Sequence, residues 1–168
     1  MSDILRIVAG GLLALISSYI GLLVKRGYAE KVAFYKGMAD FLSELRSDLS
    51  LMKTPITEFV DKYIAGRKGK AISLVKEYAT DLKTNGKFDR DLDKWDCCHL
   101  NRVEKEEILG LFASLGKTDL KEQKLIIDKY EKAMKDRLNR AEDNLKKKGN
   151  MYFKLLVLLG IAIMVVLW

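Results

Sequence analysis

Three short stretches of this 168-residue chain hold side chains whose types could do chemistry. Cys97, Cys98 and His99 stand in a row, offering two thiols and an imidazole, ligands suited to zinc. Adjacent residues diverge by about 100° on a helix, so the three do not converge on one point. The sequence has no second Cys or His cluster to complete four ligands. Reduced structural cysteines account for the pair more simply. His99 is the sole histidine, which leaves Ser–His and His–metal hydrolysis one candidate base and no visible orienting partner. Another stretch, from Gly110 to Gly116, Lys117 and Thr118, ends like a phosphate-binding loop. It has five residues between its glycines where that loop has four. Gly110 also falls inside a helical pattern, so the N–H groups that would cradle phosphate are engaged in helix hydrogen bonds. The carboxylates are interleaved with lysines on helix surfaces, the pattern of solvated faces. The expectation is a protein that is not an enzyme, with no catalytic residue, cofactor or metal.

The elements that would have to position any such site begin and end in apolar runs. Residues 7–24 carry no charge, and at about 1.5 Å per residue they approach the ~30 Å hydrocarbon thickness of a bilayer. Residues 151–168 contain only Lys154, near the start, where its long stem carries the ammonium back to the headgroups. Trp168 suits the opposite interface. A cleaved signal peptide places its positive charge before the apolar run. Here Lys25 and Arg26 follow it, with only Arg6, offset by Asp3, ahead. A buried core helix would need a polar face that residues 155–168 lack.

The charges beside the runs predict an orientation. Lys25 and Arg26 follow the first run, and Lys146, Lys147 and Lys148 precede the second. Both sets lie on the side of the central region, and the positive-inside rule makes that side cytoplasmic. The expected organisation is an extracytoplasmic tail over 1–6, a transmembrane helix over 7–24, a cytoplasmic helical domain over 25–150 and a transmembrane helix over 151–168. The net charge of +7 resides largely in the two membrane-proximal clusters. Attraction to anionic lipid explains it more simply than nucleic acid, for which no reading motif or aromatic-interleaved basic patch is present.

Between the runs the class is all-α. Pro55 is the only proline, and apolar residues recur at helical spacing rather than alternating. Phe34, Tyr35, Met38, Phe41, Leu42, Leu45, Leu49 and Met52 step by threes and fours, predicting a first long arm. Thr54 then reads as an N-cap with Pro55 at the first helical position. Further helices are expected around Ile56 to Tyr63, Ala71 to Thr84, Phe88 to His99, and Val103 to Leu115, with Asn101 and Glu104 forming a capping box at the start of the last. Gly116 ends that helix, and Thr118 or Asp119 caps a second arm. Along that arm Leu120, Gln123, Ile127, Tyr130, Met134, Leu138, Ala141 and Leu145 hold a three-four alternation, the spacing of a coiled-coil seam. Each arm is about 45 Å long at helical rise. An antiparallel bundle of about six soluble helices follows, and the seam equally suits self-association.

Leu115-Gly116-Lys117-Thr118-Asp119-Leu120-Lys121-Glu122-Gln123 resembles the Leu-Gly-x-x-Asp-x-x-x-Gln turn of the stage III sporulation protein AB family of endospore-forming bacteria. Lys53-Thr54-Pro55-Ile56 after the first long helix and the apolar segments at matching ends extend the resemblance over essentially the whole chain. The Cys-Cys-His stretch and the basic loop Gly66-Arg67-Lys68-Gly69-Lys70 are not part of it. That family is similar to the F-type inner-membrane platform proteins of type II secretion and type IV pilus machines, which have three spans and two soluble domains. The resemblance implies a membrane platform or adaptor without catalysis, on the mother-cell face of the outer forespore membrane, within a channel joining mother cell and forespore. It implies as partners a cytoplasmic ATPase, stage III sporulation protein AA, and other channel subunits. The expected contact is the turn of Leu115, Gly116, Thr118, Asp119 and Gln123. The alternative is a two-span pore-forming or transport subunit. Neither run carries the polar or ionisable interior residues that line an ion path, Lys154 lying at the edge of its run, and Gly10, Gly11, Ser17, Ser18 and Gly21 suit helix packing.

Overall fold

The computed structural model describes residues 2–52, 54–86, 88 and 98–167. Every regular element among them is helical. In chain order they are α1 Ser2–Leu51, α2 Ile56–Ile64, α3 Lys70–Asn85, α4 Arg102–Ser114, α5 Leu120–Asn144 and α6 Asn150–Leu167, with a π-helical turn, Leu145–Gly149, between the last two. The helix expected over 88–99 falls largely outside the described residues. Cys98 and His99 are not its end; they form a turn with positive φ angles of 53° and 54°. A sixth soluble helix is therefore not among the described residues.

The chain divides into two compact units, one of Lys31–Asn139 and one of Met1–Glu30 with Arg140–Trp168. In the first, α1 buries Phe34, Met38, Phe41, Leu42, Leu45 and Leu49, the single inward stripe that three-four spacing creates. Phe41 is the hub. Its ring lies 5.1 Å from Tyr63 and 6.0 Å from Phe59 on α2, and 6.4 Å from Phe112 on α4. Phe112 stands 4.7 Å from Tyr78 on α3. Ring pairs of this kind add ~0.5–1.5 kcal/mol each beyond the area they bury. α1 and α3 meet where Gly37 faces Ala71; a Cβ on Gly37 would lie 2.7 Å from the Ala71 Cβ, so the approach requires glycine. α5 contributes Ile127 and Met134, both fully buried.

The helix ends follow local chemistry, with two differences from expectation. Asn101 Oδ1 accepts from the Glu104 N–H at 2.9 Å while Glu104 Oε2 accepts from the Asn101 N–H at 2.8 Å, closing the capping box. Gly86 caps α3 in the left-handed conformation, its N–H donating to Leu82 O. At α2, however, Pro55 is itself the N-cap, and the Thr54 hydroxyl donates to Asp48 Oδ1 at 3.1 Å. The hydroxyl fastens the chain to α1 instead of capping the next helix. Met52 and Val103 leave the apolar stripe, 73% and 63% exposed, because each lies at a helix end beyond the packed layer.

In the second unit α1 and α6 pack through small residues. A Cβ on Gly160 would lie 3.0 Å from Ala14 Cα, and one on Gly21 would lie 3.3 Å from Leu156 Cβ and from Phe153 Cδ2. The Ser17 hydroxyl donates to Leu156 O at 2.5 Å. Small side chains let two backbones approach where lipid offers no hydrophobic drive between helices. Leu12, Ile16, Tyr19, Leu155, Leu158 and Leu159 face outward. Val8–Leu51 and Leu120–Val166 each contain a window long and apolar enough to cross a membrane.

Candidate functional site

The 115–123 turn is held together by its own motif residues. Leu115 is buried at the end of α4, its N–H donating to Leu111 O. Gly116 then takes φ 79°, a left-handed conformation that any Cβ would strain. Asp119 Oδ1 accepts from the Glu122 N–H at 2.9 Å, which makes Asp119, not Thr118, the cap of α5. Gln123 lies one turn into α5 and is 2% exposed. Its Oε1 accepts from the Gly116 N–H at 3.0 Å and from the Thr118 hydroxyl at 3.4 Å. The glutamine reaches back across the turn and satisfies two donors of the turn itself, the Gly116 N–H and the Thr118 hydroxyl. Of the expected contact residues, Gly116, Thr118 and Asp119 are exposed together with Lys117, whereas Leu115 and Gln123 stand behind them.

A part-buried ion pair underlies α4. Glu104 Oε2 lies 2.7 Å from Lys31 Nζ on α1, and Glu104 Oε1 lies 3.7 Å from Arg137 Nη1 on α5. Burial alone would push the Glu104 carboxyl up. The Lys31 ammonium, the Asn101 N–H and the neighbouring Tyr35 hydroxyl outweigh it and hold the carboxyl below its ordinary value of 4.5. Tyr35 moves the other way, raised by burial and by the Glu104 charge. Sequence reading placed Glu104 only in the capping box. Its partners come from distant helices, and no local spacing announces them.

A groove of about 340 Å³ adjoins the turn, lined by Ile56, Tyr78, Leu82, Phe112, Leu115 and Lys117 among others. Burial pushes the Tyr78 phenol up to about 12, so it stays protonated at neutral pH. Cys98 is buried and His99 exposed, and Cys97 lies outside the described residues. Among the described residues no group of three or more His, Cys, Asp or Glu side chains is placed to hold a metal ion.

The flanking charges sit around a register change. Along α5 the inward positions Gln123, Ile127, Met134 and Ala141 are buried, and the same alternation continues to Leu145. A seam that kept its three-four alternation would next turn Lys148, Tyr152, Leu155 and Leu159 inward. The structure turns Gly149, Phe153, Leu156 and Gly160 inward instead, one residue later each time, and leaves Lys148, Tyr152, Leu155 and Leu159 exposed. The extra residue is taken up in the π-helical turn, where the Asn150 N–H donates to Leu145 O five residues back. Gly149 faces Tyr28; a Cβ there would lie 3.5 Å from Tyr28 Cδ2. Lys25 Nζ lies 5.6 Å from the centroid of the Phe153 ring, within cation–π reach. Arg26, Lys146, Lys147, Lys148 and Lys154 are exposed. Of the small residues singled out in the first apolar run, Ser17 and Gly21 meet α6, Ser18 donates to Ala14 O within its own helix, and Gly11 faces open space. Gly160 and Gly149, their counterparts across the pair, were missed. The sequence signal was a seam that falls out of step at Lys148.

The family model described as stage III sporulation protein AB matches residues 6–168. No curated protein and no solved structure matches the chain.

Proposed function

The chain belongs to the stage III sporulation protein AB family, and from that premise we propose that it is a non-catalytic membrane platform that links a cytoplasmic ATPase to the membrane complex of a sporulation channel. The observation that carries this reading is the self-fastened 115–123 turn. Asp119 and Gln123 lock its backbone, so Lys117 and Thr118 are displayed on a rigid support. Recognition surfaces benefit from such preorganisation, because less ordering entropy is lost on binding.

The remaining features support the same reading. Two anchors fix both ends of the helical region at one membrane face, and the positive-inside rule assigns that face to the cytoplasm, which is the mother-cell side of the outer forespore membrane. The groove beside the turn offers apolar walls and a phenol held protonated rather than a general base. A pore or transport subunit is less well supported. Ser17, the polar group best placed in the first run, is engaged by Leu156 O, and glycines close the α1–α6 contact.

The test is site-specific photocrosslinking in membranes that hold the full-length chain and a stage III sporulation protein AA-like ATPase. A crosslinker at Lys117 or Thr118 is expected to capture the ATPase, and one at Glu77 is not. Capture from neither turn position, or equal capture from all three, would overturn the assignment of the turn.

A further inference from the structure

We propose that Lys146, Lys147 and Lys148 form a docking collar for the phosphate headgroups of anionic phospholipids, and that the π-helical turn holds all three outward for that purpose. The proposal rests on the reading of residues 7–24 and 151–168 as membrane spans.

Three consecutive residues on an α-helix fan over about 200°. Whether one of three adjacent lysines is driven inward is set by the register of the packed seam. The seam that runs through Ala141 and Leu145 would select Lys148 and press its stem towards Tyr28. An ammonium held there without a carboxylate carries a large desolvation penalty. The π-helical turn adds one residue to the repeat, so Gly149 takes the inward place and meets Tyr28. Lys146, Lys147 and Lys148 are all exposed as a result. π-turns are rare and gather at functional sites. This one is placed where a regular helix would have withdrawn a cation.

The charges so displayed are uncompensated. None of the three lysines forms an ion pair with a described residue. In the unit Lys31–Asn139, by contrast, Lys31, Arg46, Lys83 and Arg137 each lie within 3.3 Å of a carboxylate. Arg26 is likewise exposed without an ion pair to a described residue. The apolar run resumes at Met151, broken only by Lys154, which puts the ammonium groups at the root of the span, at headgroup depth. Juxtamembrane lysines in that layer attract anionic lipid, each adding to the affinity.

The test uses the full-length chain in detergent, mixed with equal amounts of phosphatidylglycerol and phosphatidylcholine, with retained lipids counted by native mass spectrometry. The natural sequence is expected to retain phosphatidylglycerol preferentially, and the K146Q/K147Q/K148Q variant to lose that preference by about tenfold or more. A K117Q/K121Q/K124Q control should keep it. Equal retention of both lipids by the natural sequence, or an unchanged preference in the K146Q/K147Q/K148Q variant, would overturn the collar. Displacement of the lipid by an equal concentration of soluble glycerol phosphate would also overturn it, since the site would then be a general anion site. Alkaline carbonate extraction of the membrane-inserted chain separates the two levels. A chain that resists extraction but shows no lipid preference keeps its spans and loses the collar, whereas a chain released by carbonate loses both.

Discussion

Glu104 does two jobs with one carboxylate: it closes the capping box of α4 and neutralises Lys31 inside the helical unit. Its pKa lies below the ordinary 4.5 in the folded chain, so it stabilises the fold above that value. The contribution is lost as pH falls through the folded value, because the native state must then take up the proton. Glu104→Gln keeps the side-chain shape but leaves Lys31 without its charge partner, and should destabilise the protein by about 2–3 kcal/mol at pH 7. Unfolding of the detergent-solubilised chain at pH 7 and pH 4 checks this. The variant should lose less stability on acidification than the natural sequence, and equal losses would remove Glu104 from the acid response. Gln123 teaches a related lesson about what a sequence conveys. Its spacing put it on the seam of the second arm and its motif put it in the expected contact turn; the structure buries the side chain as the fastener of that turn. Spacing gives the burial, and the hydrogen bond to a left-handed glycine is what lets a polar side chain accept it.

The elements were legible where the physics is local. α1, α3 and the start of α4 follow from apolar spacing, a glycine cap and a capping box, all within a few residues of one another. Thr54 was misread because the competing acceptor, Asp48, lies on the preceding helix. The π-helical turn was unread for a different reason: its cause is distributed. The register of the seam before it and of the small-residue contact after it differ by one residue, and the turn absorbs the difference. Deleting Lys147 should therefore convert the turn to regular α-helix while keeping Phe153, Leu156 and Gly160 against α1. Deleting Val157 should rotate Gly160 out of that contact, by about 100°. Thermal unfolding of the full-length chain measures the contrast. The Lys147 deletion should stay within a few degrees of the natural midpoint and the Val157 deletion should fall well below it. Equal destabilisation by both would mean that the π-helical turn is not a register device.

For the whole molecule the account joins three features: two helices long and apolar enough to cross a bilayer, a helical unit with one aromatic core, and a rigid polar turn. The all-α class and the family were legible in the sequence, the first from periodicity and the second from the 115–123 motif. The partners are implied by the resemblance and not by the periodicity. Flotation of liposomes tests the central claim most directly. The stage III sporulation protein AA-like ATPase is mixed with proteoliposomes that carry the full-length chain, with proteoliposomes that carry its K117E/T118R variant, and with protein-free liposomes. The account predicts that the ATPase rises with the first and stays at the bottom with the other two. An ATPase that stays at the bottom in all three, or rises equally with the variant, would contradict it.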